Sequence, residues 1–227
     1  VGPHSECDLR LLTWRTQGES SIATLAWRGE EFELMLPMAG LHNLQNAAMA
    51  VAPAIFAGIE PAAAVSVRGS FPGVARRMDV VGEVAGITVV DDFAHHPTAL
   101  GVTIAAARQR WPGRRLVIAF EPRSITAARR SFHDAYLESL ARADFVMVAP
   151  PFHRDRLDAT EVLDREELAA ALHARGVESV MPGDGADLVE RLLEILKPGD
   201  VVVGCSSGAF DGIHRKLIEA LATGEDR

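Results

Sequence analysis

Beyond residue 80 the chain alternates between two textures. Short strands are expected at 87–90, 116–120, 145–149, 178–181 and 200–204, each followed by a stretch of helical character, at 98–110, 126–141, 165–174, 184–196 and 209–222. Parallel neighbours need a crossover, and the crossover helix must pack back onto the sheet. Strict alternation therefore predicts an α/β fold, a mostly parallel sheet flanked by helices. A hairpin is expected at its start, 80–84 against 87–90, turning at Ala85 and Gly86.

The first 75 residues read differently. Three short strands are expected at 9–15, 21–27 and 32–36. A helix follows at 41–58, ended by Gly58, with Pro53 inside it predicting a kink or a break. A shorter helix at 61–69 has proline at its start and glycine at its end. The stretch SFPGVARR, 70–77, interrupts the pattern and reads as a linker. The expected organisation is an incomplete α/β remnant over 1–74, whose strands belong to a sheet with members upstream, and a Rossmann-like domain over 75–227.

Several function classes are disfavoured. A net charge of −8 argues against a general electrostatic grip on nucleic acid or an anionic membrane. Cys7 and Cys205 are the only cysteines, with no CxxC pair and no disulfide framework, so a cytoplasmic setting is expected. No apolar run is long enough to span a bilayer, and the first residues lack the plan of a signal peptide. The chain starts at Val1 without a methionine, so a processed, excised or partial chain is expected. His133, His153, His173 and His214 show no mutual metal spacing, and His95 and His96 are adjacent rather than four apart, so no metal site is expected. Neither GxxxxGK[ST] nor GxGxxG occurs.

Four stretches carry chemistry. DDFAHHPT, 91–98, follows an apolar run, and Pro97 suits a first helical turn. Asp92, His95 and His96 are thus expected on a strand-to-helix loop at the carboxyl edge of the sheet, where α/β proteins bind ligands. The plainer alternative is a capped helix start with two solvated histidines. FEPRS, 120–124, follows the next strand in the same way. Arg123 is a natural clamp for a carboxylate, while Ser124 and Thr126 can simply cap the next helix. In GLHNLQN, 40–46, Asn43 and Asn46 are three apart on one helical face, and amides suit a heterocycle edge such as adenine; capping by Asn43 is the alternative. Arg76 and Arg77 stand at the expected junction, placed either to reach a nucleotide or as a solvated pair. GCSSG, 204–208, offers an anion cradle or a tight turn, and its spacing is not that of a nucleophile elbow.

Taken together these stretches resemble the Mur ligase family, the ATP-dependent amide-forming enzymes of bacterial peptidoglycan synthesis. GLHNLQNAA, 40–48, looks like the signature near the end of the family's central ATPase domain, and ARR with DDFAHHPT like the start of its C-terminal domain. The resemblance runs in order over essentially the whole chain. DDFAHHPT with FEPRS and SSGAFDGIH is most similar to the members that recycle murein peptide, joining UDP-N-acetylmuramate to the tripeptide L-alanyl-γ-D-glutamyl-meso-diaminopimelate. Alanine-adding members have a related acid-acid-aromatic-Gly-His-His-Pro stretch but a His/Arg-rich segment where FEPRS stands.

The resemblance implies ATP and Mg²⁺, an acyl phosphate on the muramate carboxylate, and attack on it by an amine. It implies that His42, Asn43 and Asn46 line the adenine pocket. Arg77 and Asp92 would reach the nucleotide, Asp92 accepting from ribose hydroxyls. His95 would lie by the phosphates as the catalytic residue. His96, Arg123 and Ser124 would face the incoming amine substrate, with Arg123 on a carboxylate. The phosphate loop, the main Mg²⁺ ligands and the UDP-sugar domain are expected upstream of Val1, so the chain alone is expected not to catalyse ligation. A UDP-N-acetylmuramate–L-alanine ligase, or a non-catalytic Rossmann-like module for a nucleotide or peptide, remain the alternatives.

Overall fold

The computed structural model describes residues 1–17, 20–38, 40–66 and 74–224. The chain divides into two compact units, Val1–Val74 and Ala75–Arg227.

In the first unit, β1 (Leu9–Gln17), β2 (Ser20–Trp27) and β3 (Glu30–Leu36) form an antiparallel sheet in that order, followed by α1 (Leu41–Phe56) and α2 (Pro61–Ser66). One face of the sheet carries Leu9, Leu25 and Leu34 onto Leu44, Ala48 and Ile55 of α1. The Gly40 amide, at the N-cap of α1, donates to the buried Ser21 hydroxyl at 3.0 Å and ties the helix start to β2. Of the kink or break expected at Pro53, the break does not occur, since α1 runs through it to Phe56. Pro53 lies on the exposed face near the helix end, so the one carbonyl it leaves without a helical partner, that of exposed Met49, is open to water. Residues 67–69 of the second expected helix and 70–73 of the expected linker lie outside the described residues.

The second unit holds β4 (Asp79–Val84), β5 (Ile87–Asp92), α3 (Pro97–Arg110), β6 (Leu116–Phe120), α4 (His133–Leu140), β7 (Phe145–Val148), α5 (Arg165–Ala174), β8 (Glu178–Val180), α6 (Gly185–Ile195), β9 (Val201–Cys205) and α7 (Ile213–Gly224). Its six-stranded sheet has the order β4-β5-β9-β6-β7-β8. Only β4 is antiparallel to its neighbour, so the expected mostly parallel sheet is borne out. Side chains alternate across a strand, which sends Val90, Ile118 and Val203 to one face and Val89, Val117 and Val202 to the other. The first face is covered by Leu100 and Ile104 of α3, Leu140 of α4 and Leu168 of α5. The second is covered by Leu188 and Leu192 of α6 and Ile213 and Leu217 of α7. Strands buried on both faces must be apolar throughout, and that is why they stand out in the sequence.

The order of the strands decides where a ligand can bind. The chain steps from β5 to β6, β7 and β8, then returns with α6 over the opposite face and inserts β9 between β5 and β6. The carboxyl ends of these three strands surround a topological switch point. Register makes their ends level, Asp92 and Phe120 both opposing Cys205.

Two helices start later than their patterns predict. The stretch expected as helix from 126 is turns and a 3-10 turn until α4 begins at His133. There the Arg130 amide donates to the Glu161 carbonyl and the Leu163 amide to the Ala128 carbonyl, so strand-like pairing with 161–163 captures this backbone. The stretch expected as helix from 209 opens with Phe210, Asp211 and Gly212 in left-handed conformation, φ 46°, 50° and 68°. Phe210 is buried in the core of the second face, and that burial holds the strained start in place.

Candidate functional site

The loops leaving β5, β6 and β9 meet at the carboxyl edge, and Asp92 fastens the first of them. Its side chain is 2% exposed. Oδ2 accepts from the Met78 amide at 2.9 Å, and Oδ1 accepts from the Ala94 amide at 2.8 Å and the Thr103 hydroxyl of α3 at 3.0 Å. This carboxylate is committed to the chain itself. It closes the loop onto Met78, just before β4, and onto α3.

Asp91 points to the opposite face. It receives Arg76 through Nε at 2.8 Å and Nη2 at 3.2 Å, and the same Nη2 donates to the Ser206 carbonyl at 2.8 Å. His214 of α7 approaches from the other side, Nε2 lying 3.7 Å from Asp91. Burial pushes this imidazole below its ordinary pKa, against the pull of the Asp91 carboxylate. Burial also pushes the Cys205 thiol well above its usual range, reinforced by Asp92 and Asp91, so Cys205 is an inert strand-end residue.

The FAHHP loop presents its groups outward. His95 is half-buried and His96 exposed. His95 Nδ1 lies 3.0 Å from the Phe93 carbonyl. A carbonyl only accepts, so Nδ1 is the donor in this contact and Nε2 is the ring's remaining polar atom. His96 caps α3, its Nδ1 accepting from the Thr98 amide at 3.4 Å, and its ring meets Phe132 edge to face. Arg77 is exposed, with its guanidinium 5.7 Å from the Phe93 ring centre, while Arg76 lies 5.4 Å from it. Behind the loop, the buried Tyr136 hydroxyl lies 3.0 Å from both the His95 and Ala127 carbonyls, bridging the loops after β5 and β6.

The loop after β6 carries Arg123. Its guanidinium carbon is 3.9 Å from the Phe152 ring centre, and Nη1 lies 3.4–3.5 Å from both oxygens of Glu121. Glu121 is 4% exposed and accepts from the fully buried Ser206 hydroxyl, whose oxygen accepts in turn from the Gly208 amide at 2.9 Å. Ser124 accepts from the Ala127 amide at 3.0 Å and caps its own turn. Sequence reasoning missed Glu121, Ser206 and Phe152. The one available signal was an acid directly after the wholly buried run 116–120, two residues before an arginine.

The structure thus brings Arg77, Asp92, His95, His96, Arg123 and Ser124 to one edge of the second unit. His42, Asn43 and Asn46 lie on α1 of the first unit, where Asn43 is buried, His42 half-buried and Asn46 exposed. Among the described residues no three His, Cys, Asp or Glu side chains are grouped to hold a metal ion. No described helix is long and apolar enough to cross a membrane.

Residues 76–208, the segment that builds this edge, match the family model described as Mur ligase, glutamate ligase domain. The chain belongs to the Mur ligase family. It is 38% identical over 231 residues to the UDP-N-acetylmuramate–L-alanine ligase of Chloroflexus aggregans, an alignment covering 95% of this chain and 48% of that protein. It is 37% identical over 217 residues to the UDP-N-acetylmuramate–L-alanyl-γ-D-glutamyl-meso-2,6-diaminoheptandioate ligase of Escherichia coli, covering 91% and 45%. The crystal structure of a murein peptide ligase from Psychrobacter arcticus superposes with a TM-score of 0.71 at 30% identity, covering 96% of this chain and 45% of that one. The chain therefore spans about half the length of the curated relatives it matches.

Proposed function

We propose that residues 75–227 are the C-terminal domain, and 1–74 the tail of the central ATPase domain, of an ATP-dependent amide ligase of peptidoglycan recycling. Its substrates are UDP-N-acetylmuramate and the tripeptide L-alanyl-γ-D-glutamyl-meso-diaminopimelate. The observation that carries this reading is Arg123, stacked on Phe152 at the switch point with no acceptor for its Nη2 among the described residues. A guanidinium fixed by an aromatic face is a carboxylate receptor, and a diaminopimelate peptide is rich in carboxylates. The Escherichia coli and Psychrobacter arcticus proteins support the tripeptide branch by their names. The Chloroflexus aggregans protein supports L-alanine as the second reading.

When bound, ATP with Mg²⁺ supplies the phosphoryl group that turns the muramate carboxylate into an acyl phosphate. The described residues offer no acid cluster of their own for Mg²⁺, so the chain's contribution is positioning. Arg77 and the exposed face of Phe93 meet the nucleotide beside the phosphates. His95, its Nδ1 hydrogen-bonded to the Phe93 carbonyl, is placed to take at Nε2 the proton that the amine loses as it attacks the acyl group. Arg123 holds a peptide carboxylate, with His96 and the Ser124 turn beside it, and presents the amine to the acyl group. On this reading the 227-residue chain alone does not ligate.

The test is a phosphate-release assay on the protein extended by the upstream half that its relatives carry, with ATP, Mg²⁺ and UDP-N-acetylmuramate. Turnover with the tripeptide supports the reading. Turnover with L-alanine alone replaces it with the second one, and turnover with neither replaces it with a binding module.

A further inference from the structure

The carboxylate clamp is itself held by a second, buried layer. Glu121 begins the loop after β6, and its amide is pinned to the Cys205 carbonyl at 3.0 Å. Its side chain is driven inward at the end of a fully buried strand, where an unpaired charge would be costly. Two partners meet that cost, the Ser206 hydroxyl from the loop after β9 and Arg123 from its own loop. Ser206 is itself tied on every side: its amide donates to the Asp92 carbonyl at 3.1 Å, its carbonyl accepts from Arg76, and its hydroxyl oxygen accepts from Gly208. Glu121 is thus a charge with one orientation. A Cβ on Gly208 would fall on the Arg123 side chain, so the guanidinium runs through space that only glycine leaves free. The acid below, the Phe152 ring on one face and the Gly208 backbone together leave Arg123 little freedom.

We infer that Glu121, locked by Ser206, is the positioning residue for Arg123, and that this pair sets the preference for a ligand bearing a carboxylate. Glu121 touches no substrate. It lowers the ordering cost of the clamp by fixing a side chain that would otherwise sample many rotamers. The inference rests on the reading of Arg123 as a carboxylate clamp, and its test separates the two.

The 227-residue chain is titrated by calorimetry with the tripeptide L-alanyl-γ-D-glutamyl-meso-diaminopimelate, and with the same peptide amidated at its glutamyl and both diaminopimelate carboxyls. In parallel the Arg123 Nε–H signal is followed by NMR without ligand. Glu121→Gln, which keeps size and an acceptor for Ser206 but removes the charge, is expected to weaken tripeptide binding by roughly tenfold, the effect of losing one charge-assisted hydrogen bond. The amidated peptide is expected to show no such difference between the two proteins, a distinction that general loosening of the fold would not make. Arg123→Ala is expected to abolish the effect of Glu121→Gln. Ser206→Ala, which leaves Glu121 in place without its anchor, serves as the second variant and is expected to weaken binding by a few-fold. Equal tripeptide affinity in wild type and Glu121→Gln, or an Arg123 signal equally sharp in both, overturns the inference. A wild-type chain that does not bind the tripeptide overturns the clamp reading instead, and the NMR signal alone then decides whether Glu121 orders Arg123.

Discussion

Arg76 grips Asp91 with two hydrogen bonds and, through the same Nη2, reaches the Ser206 carbonyl, so one guanidinium joins the start of the second unit to β5 and to the loop after β9. The arginine holds this position at φ 59°, in the left-handed region. A residue kept in a strained conformation while making three bonds is held there by its partners.

Arg76→Ala removes all three bonds and leaves Asp91 charged and mostly buried. The variant is expected to lose about 2 kcal/mol of stability in urea denaturation. A loss below about 0.5 kcal/mol would class the pair with ordinary surface ion pairs.

Gly204 of β9 lies against His214, and a Cβ there would fall within the imidazole. Gly204→Ala is expected to cost about 2–3 kcal/mol, because the largely buried ring must shift to make room. Adding His214→Ala removes the obstacle and is expected to recover part of that loss. Simple additivity of the two substitutions would show that the glycine is needed for another reason.

His214 also sets a pH dependence. Burial lowers its folded-state pKa below 6.5, with Asp91 pulling upward and Arg76 downward. Below about pH 6.5 the unfolded chain binds a proton that the folded chain refuses, so stability falls as pH falls, until the folded pKa is passed. Denaturation midpoints between pH 7.5 and about 5 are expected to slope less in His214→Gln than in wild type. Parallel slopes would assign the proton uptake to other groups.

Tyr136 stands behind both loops, and Tyr136→Phe leaves the His95 and Ala127 carbonyls without that donor. A loss of about 1–2 kcal/mol is expected. Faster amide exchange is expected at 93–96 and 124–127 while the cores of β6 and β9 keep their protection. Uniform acceleration across the sheet would mean that the hydroxyl supports the whole fold and not the site.

Most of the second unit was legible because its strands are buried on both faces. Runs such as LVIAF at 116–120 and VVVGC at 201–205 have no polar face to blur them. The hairpin was legible through Gly86, which takes φ 72° at no steric cost; Ala85 beside it also takes positive φ, 52°, which its residue type does not announce. The starts of α4 and α7 were not, because local pattern carries no trace of the pairing between 128–130 and 161–163 or of a left-handed turn held by a buried phenylalanine. The site divided the same way. DDFAHHPT and FEPRS announced loops at the carboxyl edge, but Asp92 turned inward, since a strand's alternation and a waiting Thr103 decide its side, not its composition. Glu121 and Ser206 are 85 residues apart, and only the insertion of β9 beside β6 makes them neighbours.

The most direct test of the account is steady-state kinetics of Arg123→Ala in the protein extended by the upstream half of its relatives, varying tripeptide and ATP in turn. A carboxylate clamp predicts a KM for tripeptide raised by roughly tenfold or more, with the KM for ATP unchanged. Unchanged tripeptide kinetics, or a loss carried by ATP instead, would contradict the assignment of this edge to the amine substrate.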